Sequence, residues 1–267
     1  MVVSTAHSRQ SGSVAPAGRR RATLEQLRAE LATKQVAATV PTASAFSRLL
    51  SGPGLRKGAV YAVADQTAGP GASTSVILGL LAGPSQAGLW CGVAGLPGLG
   101  VEAAAGYGID LRRLVLVPSP GPRWLEVIGA LADVLDVVVV EPPAPAPDAQ
   151  TRRLAARLRE RGTVLIVAGS AGRARAGAAA ERGLAWPGCE VQFAVTSSQW
   201  SGLGDGHGYL AKRRVTVEAS GRGVGWQPRT AGLWLPGDDG RLGEVEETAP
   251  VVPLSRGFAD RAQQKAS

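Results

Sequence analysis

Ten residues, Asp65-Gln66-Thr67-Ala68-Gly69-Pro70-Gly71-Ala72-Ser73-Thr74, form the stretch of this chain where chemistry is most expected. They follow an apolar run, Ala59–Ala64, that reads as a buried strand, and they lead into Thr74–Ala82, which reads as a helix. A strand, a glycine-bearing loop and a helix together make a phosphate cradle, because loop amides and a helix N-terminus attract anions. A phosphate loop that works on nucleoside triphosphates reads G-x-x-x-x-G-K-S/T, its Lys neutralising phosphate charge and its hydroxyl holding magnesium. With Gly71 taken as the second glycine, Gln66 stands at the first, Ala72 at the lysine and Ser73 at the hydroxyl. The loop contains no Lys or Arg, and Asp65 adds negative charge where phosphates would sit. Triphosphate hydrolysis is therefore not expected.

The run Asp136-Val137-Val138-Val139-Val140-Glu141 is the second place to look. Four consecutive valines mark a strand buried on both faces. Glu141, one methylene longer than Asp, could face a magnesium ion, or it could simply end a buried strand at the solvent edge. Without the lysine the second role is preferred. Cys91 and Cys189 lack metal-ligand spacing and have only His7 and His207 for company. They are read as free thiols of a reducing compartment. No catalytic residue, cofactor or metal site is assigned. Arg173, Arg175 and Arg182 stand among Ala and Gly after an apolar run at Val164–Ala168. Two readings of them stay open: a basic loop laid on nucleic-acid phosphates, or a solvated surface loop. Arg153, Arg157 and Arg161 fall on one helical face and are read as solvated.

The elements that must position these groups follow from pattern. At 267 residues, 45% of them hydrophobic, the chain suits one domain of ordinary size. The net charge of +8 is uneven, basic before residue 59 and again over 151–182, acidic between. That asymmetry permits contact with nucleic acid or an acidic partner and proves neither. Residues 1–22 read as a disordered basic tail. Thr23 opens a helix with a capping-box pattern and a Leu24, Leu27, Leu31 stripe, and residues 23–54 read as that helix and a linker. From Gly58 strand and helix alternate. Gly88–Val93 and Leu114–Val117 are strands, with a short helix at Val101–Tyr107 between them. Trp124, Ile128, Leu131 and Leu135 share one face of a helix. Asp148 is placed as the cap of a helix running to Arg161, with Leu154 and Leu158 turned inward. Beyond Val164–Ala168 the rhythm changes to strands at Val191–Thr196, Arg213–Ala219 and Gly232–Leu235 without long helices between them. A parallel β/α core over 55–235, closed by an antiparallel C-terminal extension, is the expected architecture. Residues 236–267 read as a flexible charged tail. No apolar run reaches the roughly 20 residues of a membrane span and no secretory leader is evident, so a cytoplasmic protein is expected.

In their order and spacing, the loop at Asp65–Thr74, the phrase Gly106-Tyr107-Gly108-Ile109-Asp110-Leu111-Arg112-Arg113-Leu114, the Leu135–Glu141 strand and the Thr163–Ala168 strand resemble the RecA recombinase core. Within that superfamily the chain resembles the ImuA-type mutasome accessory proteins of high-GC bacteria, in the form with degenerate nucleotide motifs. The resemblance implies a RecA-like, mostly parallel sheet flanked by helices. It also implies a role in SOS mutagenesis and translesion synthesis, nucleoid-associated when DNA is damaged. The implied partners are a catalytically inactive Y-family polymerase relative and, through it, an error-prone replicative-type polymerase and the sliding clamp. Single-stranded DNA and self-association remain open as further partners. The recombinase's catalytic glutamate would follow the second strand, yet Trp90-Cys91-Gly92-Val93-Ala94-Gly95 holds no acid. Its nucleotide-sensing glutamine would follow Thr163–Ala168, where Gly169 and Ser170 stand. By position the segment with Arg173, Arg175 and Arg182 corresponds to a DNA-contacting loop. The resemblance thus leads to a non-catalytic adaptor first, a single-strand DNA-binding module second, and an active ATPase last.

Overall fold

The computed structural model describes residues 38–67, 71–170, 186–204, 207–237 and 239–245. The chain lays down β1 (Thr39–Pro41), α1 (Ser44–Ser47), β2 (Gly54–Arg56), β3 (Val60–Asp65) and α2 (Ala72–Gln86). There follow β4 (Cys91–Ala94), α3 (Val101–Gly106), a single 3-10 turn at Leu111–Arg113, β5 (Leu114–Val117), α4 (Trp124–Ala132) and β6 (Val137–Val140). The last elements are α5 (Asp148–Arg161), β7 (Val164–Ser170), β8 (Val191–Gly204), β9 (His207–Ser220), β10 (Arg229–Trp234) and β11 (Gly243–Glu244).

Nine strands make one sheet in the order β11-β10-β9-β8-β3-β7-β6-β4-β5. From β8 to β5 every neighbouring pair is parallel, and from β8 to β11 every pair is antiparallel. The mixed α/β class, with a mostly parallel sheet flanked by helices and an antiparallel C-terminal extension, is thus what the chain adopts. The valine strand β6 lies inside the sheet between β7 and β4, with all four valines fully buried. Side chains alternate between faces along a strand. Val137 and Val139 accordingly join the apolar cluster under α1 and α2, while Val138 and Val140 join the cluster under α4 and α5. Both faces are covered, as a parallel sheet requires.

Three local features differ from expectation, each for a physical reason. The helix α2 runs on to Gln86 with Pro84 inside it. A proline in the last turn forfeits one backbone bond, and burial of Pro84 against the core offsets that loss. Asp148 is the first residue of α5 rather than its cap; Pro147 holds the cap position with no side-chain bond, and the acidic group complements the helix dipole instead. Arg157 and Arg161 both reach Asp133 at the end of α4, Nε of Arg157 at 2.8 Å and Nε of Arg161 at 3.2 Å. That clamp holds Asp133 below the usual carboxylate range and joins the two helices on one face of the sheet. Arg153 stays exposed, as the solvated reading has it.

Residues 39–56 do more than lead in. β1 and β2 pair antiparallel, and α1 sends Phe46, fully buried, edge-on to Phe193 of β8 with ring centroids 6.2 Å apart. Phe46, Leu49 and Leu55 belong to the same cluster as the sheet. The helix read from Thr23, the tail before it and the residues beyond 245 lie outside the described residues. Replacing Phe46 with alanine is expected to lower the unfolding free energy by about 3–5 kcal/mol in denaturant titration, the cost of emptying a large core site. A loss under about 1 kcal/mol would mean that this segment is not part of the cooperative core.

Candidate functional site

β3 delivers Asp65 to the C-terminal edge of the sheet with 7% of its surface exposed. Its Oδ1 accepts from the Thr67 amide at 2.9 Å and the Thr67 hydroxyl at 2.6 Å. Its Oδ2 accepts from the Ser73 amide at 3.3 Å. Ser73 is the second residue of α2, so this amide is one of the four at a helix start that find no partner within the helix. Gly71 caps the helix at φ +81°, a left-handed conformation that favours glycine. An anion at such a helix start is favourable by roughly 0.3–1 kcal/mol, more where it is partly buried. The side chain of Asp65 therefore sits where a bound phosphate would be expected, and the chain's own carboxylate serves as the anion of the cradle.

The countercharge comes from across the sheet. Arg213 on β9 is 3% exposed, with Nε donating to Ser198 Oγ at 2.7 Å and its guanidinium 5.1 Å from the Trp200 ring centroid. A β-carbon built on Gly71 would lie 3.7 Å from Arg213 Nη1, which puts the guanidinium beside the start of α2. Burial pulls the Arg213 pKa below its ordinary value, and the nearby Asp65 charge and Tyr107 hydroxyl act against that pull. Tyr107, at the end of α3, completes the group at 6% exposure. Burial pushes its hydroxyl up to about 12, countered by the neighbouring Ser75 hydroxyl and Arg213 charge. Among the described residues its hydroxyl has no hydrogen-bond partner of normal geometry, and Ser75 Oγ donates to the Gly71 carbonyl at 3.2 Å.

Sequence reasoning found Asp65, Gly71 and Ser73 and missed Arg213 and Tyr107. A signal for Arg213 was present. In Arg213-Arg214-Val215-Thr216-Val217 it has the parity of Val215 and Val217, which marks it as an inward-facing cation in a half-buried strand.

Glu141 ends β6 half-buried, its amide bonded to the Ala94 carbonyl at 3.0 Å. β7 separates β6 from β3, which puts Glu141 roughly 10 Å from the cradle strand. Gly95, where an acid would follow β4, has φ +78°, and a β-carbon there would stand 2.3 Å from the Glu141 carbonyl oxygen. The position admits no side chain without a backbone shift. Cys91 is buried and Cys189 half-buried, both free, with burial pushing their thiols up to about 12 and about 11. Among the described residues no cluster of metal-ligating side chains occurs, and no helix is long and apolar enough to cross a membrane. Arg173, Arg175 and Arg182 lie outside the described residues.

Residues 48–173, from just after α1 to just past β7, match the family model described as the MT3502 N-terminal domain. A stretch of 94 residues is 35% identical to the uncharacterized protein Rv3395c of Mycobacterium tuberculosis. The chain is similar to a mycobacterial protein. The aligned stretch covers 35% of this chain and 46% of that relative. The family match takes in the cradle, α2 and the valine strand, while β8–β11, which carry Arg213, lie beyond it.

Substituting Asp65 with alanine strips two amides and a hydroxyl of their acceptor and removes the negative charge nearest Arg213. The expected loss is about 3 kcal/mol of stability. In a double-mutant cycle with Arg213→Met, the two changes are expected to couple by at least about 1 kcal/mol. Strictly additive effects would show that the two groups do not act as a pair.

Proposed function

We propose that this protein is a non-catalytic adaptor of a DNA-damage-induced translesion-synthesis assembly, RecA-like in fold and ImuA-like in role. In this reading it binds a catalytically inactive Y-family polymerase relative in the cytoplasm. Through that partner it reaches an error-prone replicative-type polymerase and the sliding clamp. The observation that carries the reading is the Asp65 carboxylate on the Ser73 amide. A scaffold that keeps the strand–loop–helix form of a nucleotide site but closes it with its own anion retains the shape and gives up the chemistry. Supporting it are the order of the elements, with the cradle strand β3 inside the sheet and a carboxylate-ended strand two places away. The antiparallel β9–β11 that follow the parallel core agree with the RecA-like expectation as well.

One observation favours a second reading, binding of single-stranded DNA. Ser170 pairs with Asp65 in the sheet register. β7 therefore ends at the cradle end, and Arg173, Arg175 and Arg182 follow it in sequence.

Co-expression of the full chain with the inactive polymerase relative, followed by affinity purification, is expected to recover both proteins together. Persistent failure to associate at micromolar concentration would contradict the adaptor reading. The second reading predicts affinity for single-stranded DNA that falls with salt. Replacing Arg173 and Arg175 together should reduce the slope of log affinity against log salt by about 1.4. An unchanged slope would remove those arginines from any DNA interface.

A further inference from the structure

The end of the sheet opposite the cradle gathers cations from segments far apart in sequence. β3 runs from Val60 at this end to Asp65 at the cradle, six residues or roughly 20 Å away. The turn before β3 carries Arg56 and Lys57, both exposed. Gly58 follows at φ +73°, and a β-carbon there would lie 2.7 Å from Arg159 Cα, so the turn rests directly on the last turn of α5. A β-carbon on Gly162, which caps α5, would lie 3.8 Å from Lys57 Cβ. Arg159 is exposed as well. The basic stretch before residue 59 and the one that begins at 151 therefore meet here.

The band continues across the sheet, where β3, β8, β9 and β10 are consecutive neighbours. Arg56 Nη2 donates to Glu190, just before β8, at 2.6 Å. Arg222, just after β9, approaches the same carboxylate oxygen at 4.0 Å. Glu190 is largely buried while both arginine side chains are largely exposed, so one carboxylate orients two guanidinium groups that face solvent. Arg222 opens the loop between β9 and β10, which is pinned by the Gly223 amide on the Glu190 carbonyl, at 3.0 Å, and by the Ser51 amide on the Gly223 carbonyl, also at 3.0 Å. The same loop holds Trp226, 91% exposed. Three strand spacings, roughly 15 Å, separate β3 from β10.

A row of guanidinium and ammonium groups matches a chain of phosphates, and the planar fork of arginine engages a phosphate through two N–H groups. An exposed indole adds what phosphate contacts lack, a flat face on which an unpaired base stacks. An acidic protein segment would satisfy the charges too, but it need bring no flat group for the indole. We infer that this end of the sheet binds a single nucleic-acid strand, with phosphates along Lys57, Arg159, Arg56 and Arg222 and one base on Trp226. The site goes beyond the adaptor reading and draws on none of the arginines that follow β7 in sequence.

Fluorescence anisotropy of a labelled oligothymidylate, titrated with the full chain across a salt series, tests the inference. Saturable binding is expected at low salt. Trp226→Ala should weaken it at least about fivefold, and Trp226→Phe, which keeps a flat ring, should retain most of the affinity. Lys57→Ala combined with Arg159→Ala should lower the slope of log affinity against log salt by about 1.4. All three side chains are exposed, so the thermal melt is expected not to move. The Trp226 effect should persist when Arg173 and Arg175 are replaced, which reads this site separately from those arginines. Co-purification with a polymerase relative has no bearing on it. Absence of binding at low salt overturns the inference, as do an affinity and a slope that ignore these substitutions. Equally tight binding of polyglutamate of the same charge, equally weakened by Trp226→Ala, overturns it as well, because the occupant is then an acidic protein.

Discussion

The carboxylate of Asp65 at the start of α2 governs how the cradle end of this molecule is organised. A long helix aimed at a glycine-bearing loop leaves amides without internal partners, and the positive end of its dipole attracts negative charge. In a nucleotide-binding protein that demand is met by a ligand. Here it is met from within, by a residue that β3 places in the loop and that three donors hold. An anion fixed there favours a nearby cation, and Arg213, on a strand two places away from β3, feels its charge. Arg213 is also held by Ser198 and the Trp200 ring. Its backbone is set by bonds to Leu235 and Pro236, so the antiparallel extension is tied to the cradle as well as to the core.

On the proposed reading, the chain departs from a hydrolase at a second place as well. The position after β4, where an acid would activate water, is occupied by a glycine crowded against the Glu141 backbone. On that reading, a sheet covered on both faces suits a protein acting through its contacts.

The parallel core was legible because its strands are short apolar runs separated by helices with clear period. Val137–Val140 and Leu114–Val117 fall where the pattern places them, as do Trp124, Ile128 and Leu131 on α4, whereas the helix ends at Ala132 and Leu135 is buried in the segment after it. The β8–β9 hairpin was only partly legible. Its outer half, from Thr196 on β8, is rich in Ser and Gly and lacks the alternation of a half-buried strand, and here partner strands rather than side chains hold the extended form. β1, α1 and β2 were not legible, being three or four residues each and stabilised by contacts distant in sequence, such as Phe46 on Phe193. In the site, the absence of a loop lysine could be read directly. The replacement cation could not be placed, since parity marks Arg213 as inward-facing without saying what it meets.

Isothermal titration of magnesium-ATP into the full chain addresses the central claim most directly, because ligand and Asp65 compete for the same amides. The account predicts no saturable, magnesium-dependent heat at nucleotide concentrations up to about 1 mM. Saturating uptake with a Kd in the low micromolar range, roughly −8 kcal/mol of binding, would contradict it and require a nucleotide-driven role instead.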